Sequence, residues 1–299
     1  MNCMWDSLGI KNSIMRLISR NCFLIIFTFL LVSFIQQSDF VQCDYFSLKK
    51  LNNKHLVKKL YTGTSDSYKK ITLSDTSILA SFKNLVSLKI SYGKLYFGTG
   101  FFNKLPKLKT INLSTTFSNG LPKDIEQSSV ENITIVCAKA MKEVPQEVFR
   151  IKGIKSIYLA HFKNDSLLNL ELSNSKYNFI ELYSFESKTI NIQTKSLVFI
   201  DKLNLIGCKF DSLFLFNGIK IKELCFDFES YNSLSNFLNI SNLDIEVVDL
   251  HDFDYEFIMS LDFSRFKSVK FFKVNNKLKD FELMEIKKKT NNQTPQILM

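Results

Sequence analysis

Glycine and proline are scarce in this chain, nine and four among 299 residues, so its turns are poorly supplied with the residues that usually make them. Histidine is scarcer still, with only His55, His161 and His251. The motifs G-x-S-x-G, H-E-x-x-H, G-x-x-x-x-G-K-[ST] and G-x-G-x-x-G, which place a nucleophile, a zinc pair or a phosphate cradle, do not occur. No two cysteines stand at C-x-x-C spacing, which removes the usual frame of a structural zinc site. The basic and aromatic octamer of RNA-recognition modules is missing too, so nucleic acid is not an expected partner despite a formal net charge of +10. Lysine is dispersed through the chain rather than gathered in one run, which reads as a solvated surface. These absences leave no motif that marks a reaction centre. The chain is expected not to be an enzyme and to hold no metal or cofactor.

What it has is a repeat. The phrase apolar-x-x-apolar-x-apolar recurs nine times between Leu85 and Asn276, with its middle apolar residue at Leu88, Ile111, Ile133, Ile157, Ile180, Leu203, Leu224, Val248 and Val269. The period is about 22–23 residues. The first residues of the phrases run from Leu85 to Phe266, and the last from Ile90 to Phe271. All are apolar in a chain that is 45% hydrophobic, which chance alternation does not sustain over nine copies. Isoleucine and valine at most middle positions favour extended backbone. Each phrase is therefore a short strand that cannot bury its inward side chains alone, and stacking the copies makes a parallel sheet.

The clearest copy, IDKLNLIGCKF from Ile200 to Phe210, resembles the leucine-rich repeat, L-x-x-L-x-L-x-x-N/C-x-L. The resemblance implies an α/β-type repeat solenoid, a curved horseshoe with a parallel sheet on its concave side. Spacers such as LPKDI (121–125), VPQEVF (144–149), LNLEL near Leu170 and LFLF near Leu213 imply short strands or 3₁₀ and helical turns on the convex side. One position departs from the family pattern. The ninth residue, normally Asn or Cys, is Gly93, Phe162, Phe185, Cys208 or Phe253 in five of the copies, and only Cys208 conforms. The asparagine ladder is absent, so the loops are expected to be packed by aromatic rings instead.

The ends divide the chain further. Cys22–Ile35 is an uncharged apolar run preceded by Arg16 and Arg20, the length of a secretory h-region and short of a bilayer span. Residues 1–43 are read as a signal peptide, or as a retained membrane anchor through 22–35. Residues 44–84 are read as an N-terminal cap in which Ile71 and Leu73 begin an imperfect strand. Residues 85–276 hold the nine repeats. Residues 277–299 form a C-terminal cap, with a helix buried through Phe281, Leu283 and Ile286, and a frayed tail. Sequons at Asn112, Asn132, Asn164, Asn239 and Asn292 are no more frequent than the composition supplies.

On this register, alternate side chains of each strand face solvent in rows. One row contains Lys89, Tyr158, Glu181, Asn204, Cys225, Asp249 and Lys270; Phe179, Glu223, Tyr183, Asp227, His251 and Phe272 flank it. Two patches result, an aromatic centre (Tyr158, Phe179, Tyr183) and an acidic stretch (Glu223, Asp227, Asp249, with His251 and Asp252 beside it). Exposed rings on a rigid sheet suit a protein interface. The expected function is a secreted repeat protein that binds a protein partner through its concave face. The first alternative is a structural or cell-surface protein anchored by residues 22–35. The second is a hydrolase or transferase built on the carboxylates around His251.

Overall fold

The structure, a computed structural model, describes residues 39–64, 69–117, 120–215, 218–227, 244–250, 253–261, 269–274, 278–290 and 296–298. The apolar-polar alternation of each phrase becomes a strand. The first five are β1 (Phe40–Asp44), β2 (Lys59–Gly63), β3 (Lys70–Leu73), β4 (Ser87–Phe97) and β5 (Thr110–Phe117). They are followed by β6 (Asn132–Met141), β7 (Ser156–Leu172), β8 (Lys176–Tyr183), β9 (Glu186–Thr194) and β10 (Val198–Ile206). The chain continues through β11 (Lys209–Leu215), β12 (Ile219–Phe226), β13 (Asp244–Leu250), β14 (Phe271–Val274) and β15 (Gln296–Leu298). Every pairing among them is parallel.

The main sheet is open and runs in the order β1-β2-β4-β5-β6-β7-β8-β10-β12-β13-β14-β15. Its register aligns the middle residues of the phrases: Leu88 pairs with Ile111, then Ile133, Ile157, Ile180, Leu203, Leu224 and Val248 in turn. Each of these eight is at most 2% exposed. The fold is therefore a solenoid-like α/β arrangement of one open parallel sheet, in which eight of the nine expected middle positions fall in register and each coil buries its inward row against the next. Polar groups stack across coils as well: Glu131 accepts from Lys109 and Lys155, each at 2.7 Å. The two ammonium groups hold its carboxyl down at about 2.

Three expectations are corrected at the ends. Val248 pairs with Phe272, not Val269, so the ninth phrase is Val269, Phe272 and Val274, all at most 2% exposed. Phe271 and Lys273 thus replace Lys270 on the outward rows, and Phe272, expected outside, is in the core. The sheet also begins earlier than Leu85: Leu60 pairs with Leu88, and Val41 with Leu60. Within the expected cap, β3 joins β4 beyond its bend, pairing Ile71 with Leu95. At the other end the tail contributes β15, and Phe272 pairs with Ile297. The expected capping helix, Asp280–Thr290, buries Leu283 and Ile286 but leaves Phe281 exposed.

The opposite side of the solenoid is made two ways. In the first half it carries 3₁₀ turns at Ile78–Ser81, Phe102–Lys104 and Lys123–Gln127, then a short helix, Glu147–Arg150. Across β7, β9 and β11 it is a second parallel layer, in which Leu168 pairs with Ile190 and β9 continues to β11, and the spacer after β13 is a short helix again, Tyr255–Ser260. Four coils turn from the main sheet at the residue four beyond the middle position: Tyr92, His161, Ser184 and Gly207 have φ of 64°, 64°, 51° and 61°. That left-handed conformation suits glycine, and only Gly207 supplies it. The following residue turns inward, and Phe162, Phe185 and Cys208 are fully buried there. Phe162 and Phe185 lie with ring centroids 5.2 Å apart. Aromatic packing thus takes the place of the missing asparagines.

Tyr177 shows how one turn is held instead. It is fully buried, and its hydroxyl donates to the Phe149 carbonyl and accepts from the Ser173 and Asn174 amides, each at 3.1 Å. Tyr177→Phe leaves these backbone groups short of a partner, so the urea midpoint should fall by the equivalent of about 1–3 kcal/mol. An unchanged midpoint would show that the hydroxyl does not hold this turn.

Candidate binding face

The outward face of the main sheet is set by strand alternation. Because Leu159 and Leu182 are fully buried, their neighbours Tyr158 and Tyr183 must point the other way. The face has three zones. Over β4 to β6 it presents small or neutral side chains, including Ser87, Thr110, Asn112, Asn132 and Thr134, with Lys89 the main charge. Over β7 and β8 it becomes aromatic. Tyr158 and Tyr183 stack with centroids 6.4 Å apart and an interplanar angle of 20°. His161 meets the Tyr183 ring edge-on at 5.7 Å. Phe179 lies in register with Ser156 on one side and Lys202 on the other. Tyr183 is 37% exposed, while Tyr158 and Phe179 are half-buried. Beside these rings a shallow hollow of about 420 Å³ is lined by Thr134, Val136, Ser156, Tyr158 and Phe179.

The aromatic centre is therefore assembled as the alternation predicts. His161 joins it, a residue the sequence pattern did not single out. Its signal lay in its place four residues after Ile157, at the corner where the strand bends. Burial and the neighbouring Glu181 and Tyr183 push the Tyr158 hydroxyl above its ordinary pKa, so it faces the solvent as a neutral donor.

The third zone, over β10 to β14, differs from expectation. Glu223, Asp227 and Asp249 do lie on the outward rows, but they do not form an open acidic patch. Lys202 bonds Glu223 at 2.8 Å, and Lys273 bonds Asp249 at 3.0 Å. Asp227 accepts the Gly207 amide at 2.7 Å. Asn204 donates to Glu181 at 2.9 Å. Each ion pair joins adjacent strands, and the hydrogen bond to its carboxylate raises each lysine above its ordinary pKa. The acidic stretch is a ladder of cross-strand ion pairs. His251 and Asp252 lie outside the described residues.

Could this zone hold a metal? Glu223, Cys225 and Asp249 offer donor atoms within 4.8 Å of one another. Both carboxylates already carry an ammonium group. Burial first, and Asp249 second, push the Cys225 thiol up to about 12, so it remains protonated at neutral pH. A divalent cation would have to displace two lysines and a proton. The arrangement favours the ion-pair ladder. Cys43 and Cys137 are free thiols too. Cys208 is a packed core thiol that donates to the Leu182 carbonyl at 3.2 Å.

A second groove of about 570 Å³ lies on the same face near the first strands, lined by Gln42, Asp44, Tyr61, Lys89 and Tyr92 among others. Gly63 makes room there, because a Cβ at that residue would fall 1.7 Å from the Ser91 carbonyl oxygen. Among the described residues no helix is long and apolar enough to cross a membrane. In comparisons with known proteins, no family model and no curated protein matches this chain.

Proposed function

We propose that this chain is a leucine-rich-repeat protein, that its main sheet lines the concave side of a curved horseshoe, and that it binds another protein there. One observation carries the reading: Tyr158, Phe179 and Tyr183 stand together out of a continuous parallel sheet whose other side is fully packed. Rigid rings of that kind bury large area at little entropic cost, the usual make-up of an interface anchor. The lysine-carboxylate ladder next to them supplies an ordered polar rim. Binding rather than catalysis is favoured because the ionisable groups of this face are occupied. Glu223 and Asp249 hold lysines, and the Cys225 thiol is no nucleophile near neutral pH.

The test uses a column of the full chain beside one carrying Tyr158→Ala, Phe179→Ala and Tyr183→Ala. Proteins captured by the first and lost by the second identify the face, with a loss of at least roughly tenfold in affinity for an anchor cluster. A triple variant that folds normally and keeps every captured protein would place the interface elsewhere.

Secretion, with residues 1–43 as signal peptide, belongs to the same proposal. The alternative of a retained anchor through residues 22–35 is favoured by one observation. Strand β1 begins at Phe40 and its Val41 joins the inward row, so cleavage after Cys43 would remove most of that strand. N-terminal sequencing of the mature protein separates the two.

A further inference from the structure

We infer that the N-terminal end of the solenoid docks on a membrane surface carrying anionic lipid. Strand β1 is the terminal strand of the main sheet, and its inward residues Val41 and Cys43 are only half-buried where those of the next coils are sealed. Around that end the first coil, residues 39–64, exposes large apolar side chains: Phe40, Phe46 and Leu56 are 39%, 48% and 41% exposed. They are interspersed with Lys49, Lys50, Lys58 and Lys59, all exposed. The coil holds two described acids against these four lysines. Asp39 lies 3.8 Å from Lys58, and Asp44 caps the Phe46 amide at 2.9 Å. Lys69, from the next coil, stands over the Phe46 ring at 5.7 Å.

Exposed rings interspersed with lysines suit a deformable partner. A lipid surface admits the rings at headgroup depth, while its negative potential attracts each lysine over a Debye length. The sequence places such a surface within reach. The apolar run Cys22–Ile35 ends five residues before Phe40, a stretch of chain that spans at most about 18 Å. A bilayer that takes up that run lies next to the first coil and not the last. The opposite end is a poorer match. Its helix Asp280–Thr290 exposes Phe281 and Met284, but Asp280, Glu282 and Glu285 equal its lysines in number. This inference does not depend on what the sheet face binds; it rests on the alternative in which residues 22–43 are retained.

The experiment measures partition of the full chain onto phosphatidylcholine vesicles and onto phosphatidylcholine-phosphatidylserine vesicles by co-sedimentation, at low and high salt. The apolar run contributes to both vesicle types, so the readout is the ratio of the two partition coefficients. That ratio should favour the anionic vesicles and collapse at high salt. It should fall roughly tenfold or more in a Lys49→Gln, Lys50→Gln, Lys58→Gln, Lys59→Gln variant. A Phe46→Ser, Leu56→Ser variant, which keeps every lysine, should lose several-fold in partition to anionic vesicles and serves if the first does not fold. Equal partition onto both vesicle types overturns the inference. So does a folded lysine variant with the wild-type ratio, or an equal loss on Lys287→Gln, Lys288→Gln, Lys289→Gln.

Discussion

Phe185→Ala is expected to cost roughly 3–5 kcal/mol of folding stability, the largest effect of any single side chain considered. Phe185 follows the left-handed Ser184 and carries its ring inward at the corner between the two sides of the solenoid. The ring is fully buried and packs at 5.2 Å against Phe162 of the preceding coil. Its backbone carbonyl accepts the Lys209 amide of the next coil at 2.7 Å. Here one aromatic ring holds the corner by packing. Truncation opens a cavity at a joint between coils, where the fixed strand spacing limits collapse. A Phe185→Leu control, close in volume, should lose about 1 kcal/mol. Urea denaturation followed by circular dichroism measures both. A drop below about 1 kcal/mol for the alanine variant would mean that the aromatic corner is dispensable.

That substitution was open to sequence reasoning, because the phenylalanines occupy the ninth position of clear phrases. The middle positions were legible for the same reason: Ile111, Ile133, Ile157 and Ile180 are strong strand formers in one frame. The ninth phrase was not. The stretch FKSVKFFKV offers two apolar frames, Phe266-Val269-Phe271 and Val269-Phe272-Val274. Local pattern and spacing do not choose between them. Pairing with Val248 does, and that is a long-range fact. The first two strands were missed because Leu60 is followed two residues on by Thr62 instead of an apolar residue, and because Val41 and Cys43 fall within the stretch read as a signal peptide, although Leu60 and Val41 share the inward row. Thr62 is 6% exposed, a polar side chain where the phrase asks for an apolar one.

The acidic stretch was misread for a different reason. Carboxylates are visible along the chain, but the cations that neutralise Glu223 and Asp249 each stand one coil away. Lys202 is 21 residues from Glu223, and Lys273 is 24 from Asp249. Only the correct cross-strand register brings them together, and for Lys273 that register depended on the misassigned ninth phrase. The aromatic centre survived because it depends on alternation within each strand, which a shift of the whole phrase in another coil does not disturb. A face judged from residue types thus holds for rings where the frame of the strand is right, fails with the frame as at Phe272, and misleads for charge even in the right frame, since charge is a property of pairs.

Leu203→Ala should cost roughly 2–5 kcal/mol, and the place where the damage appears matters as much as its size. Leu203 is fully buried and pairs with Ile180 on one side and Leu224 on the other. Leu205, two residues on, is equally buried and pairs with Leu182 and Phe226. Each coil of a solenoid touches only its neighbours, so a cavity at Leu203 weakens two interfaces and leaves the distant coils as they were. Hydrogen exchange should therefore quicken first at the strand amides of 176–226, while those of β4 and β5 keep nearly wild-type protection. The aromatic centre on β7 and β8 lies at the border of the softened region, so the same variant should also weaken any partner held by Tyr183 more than one held near Lys89. Uniform loss of protection along the chain would instead show a single cooperative unit. Wild-type protection at 176–226 would show that the coil around Leu203 is not packed as the structure has it.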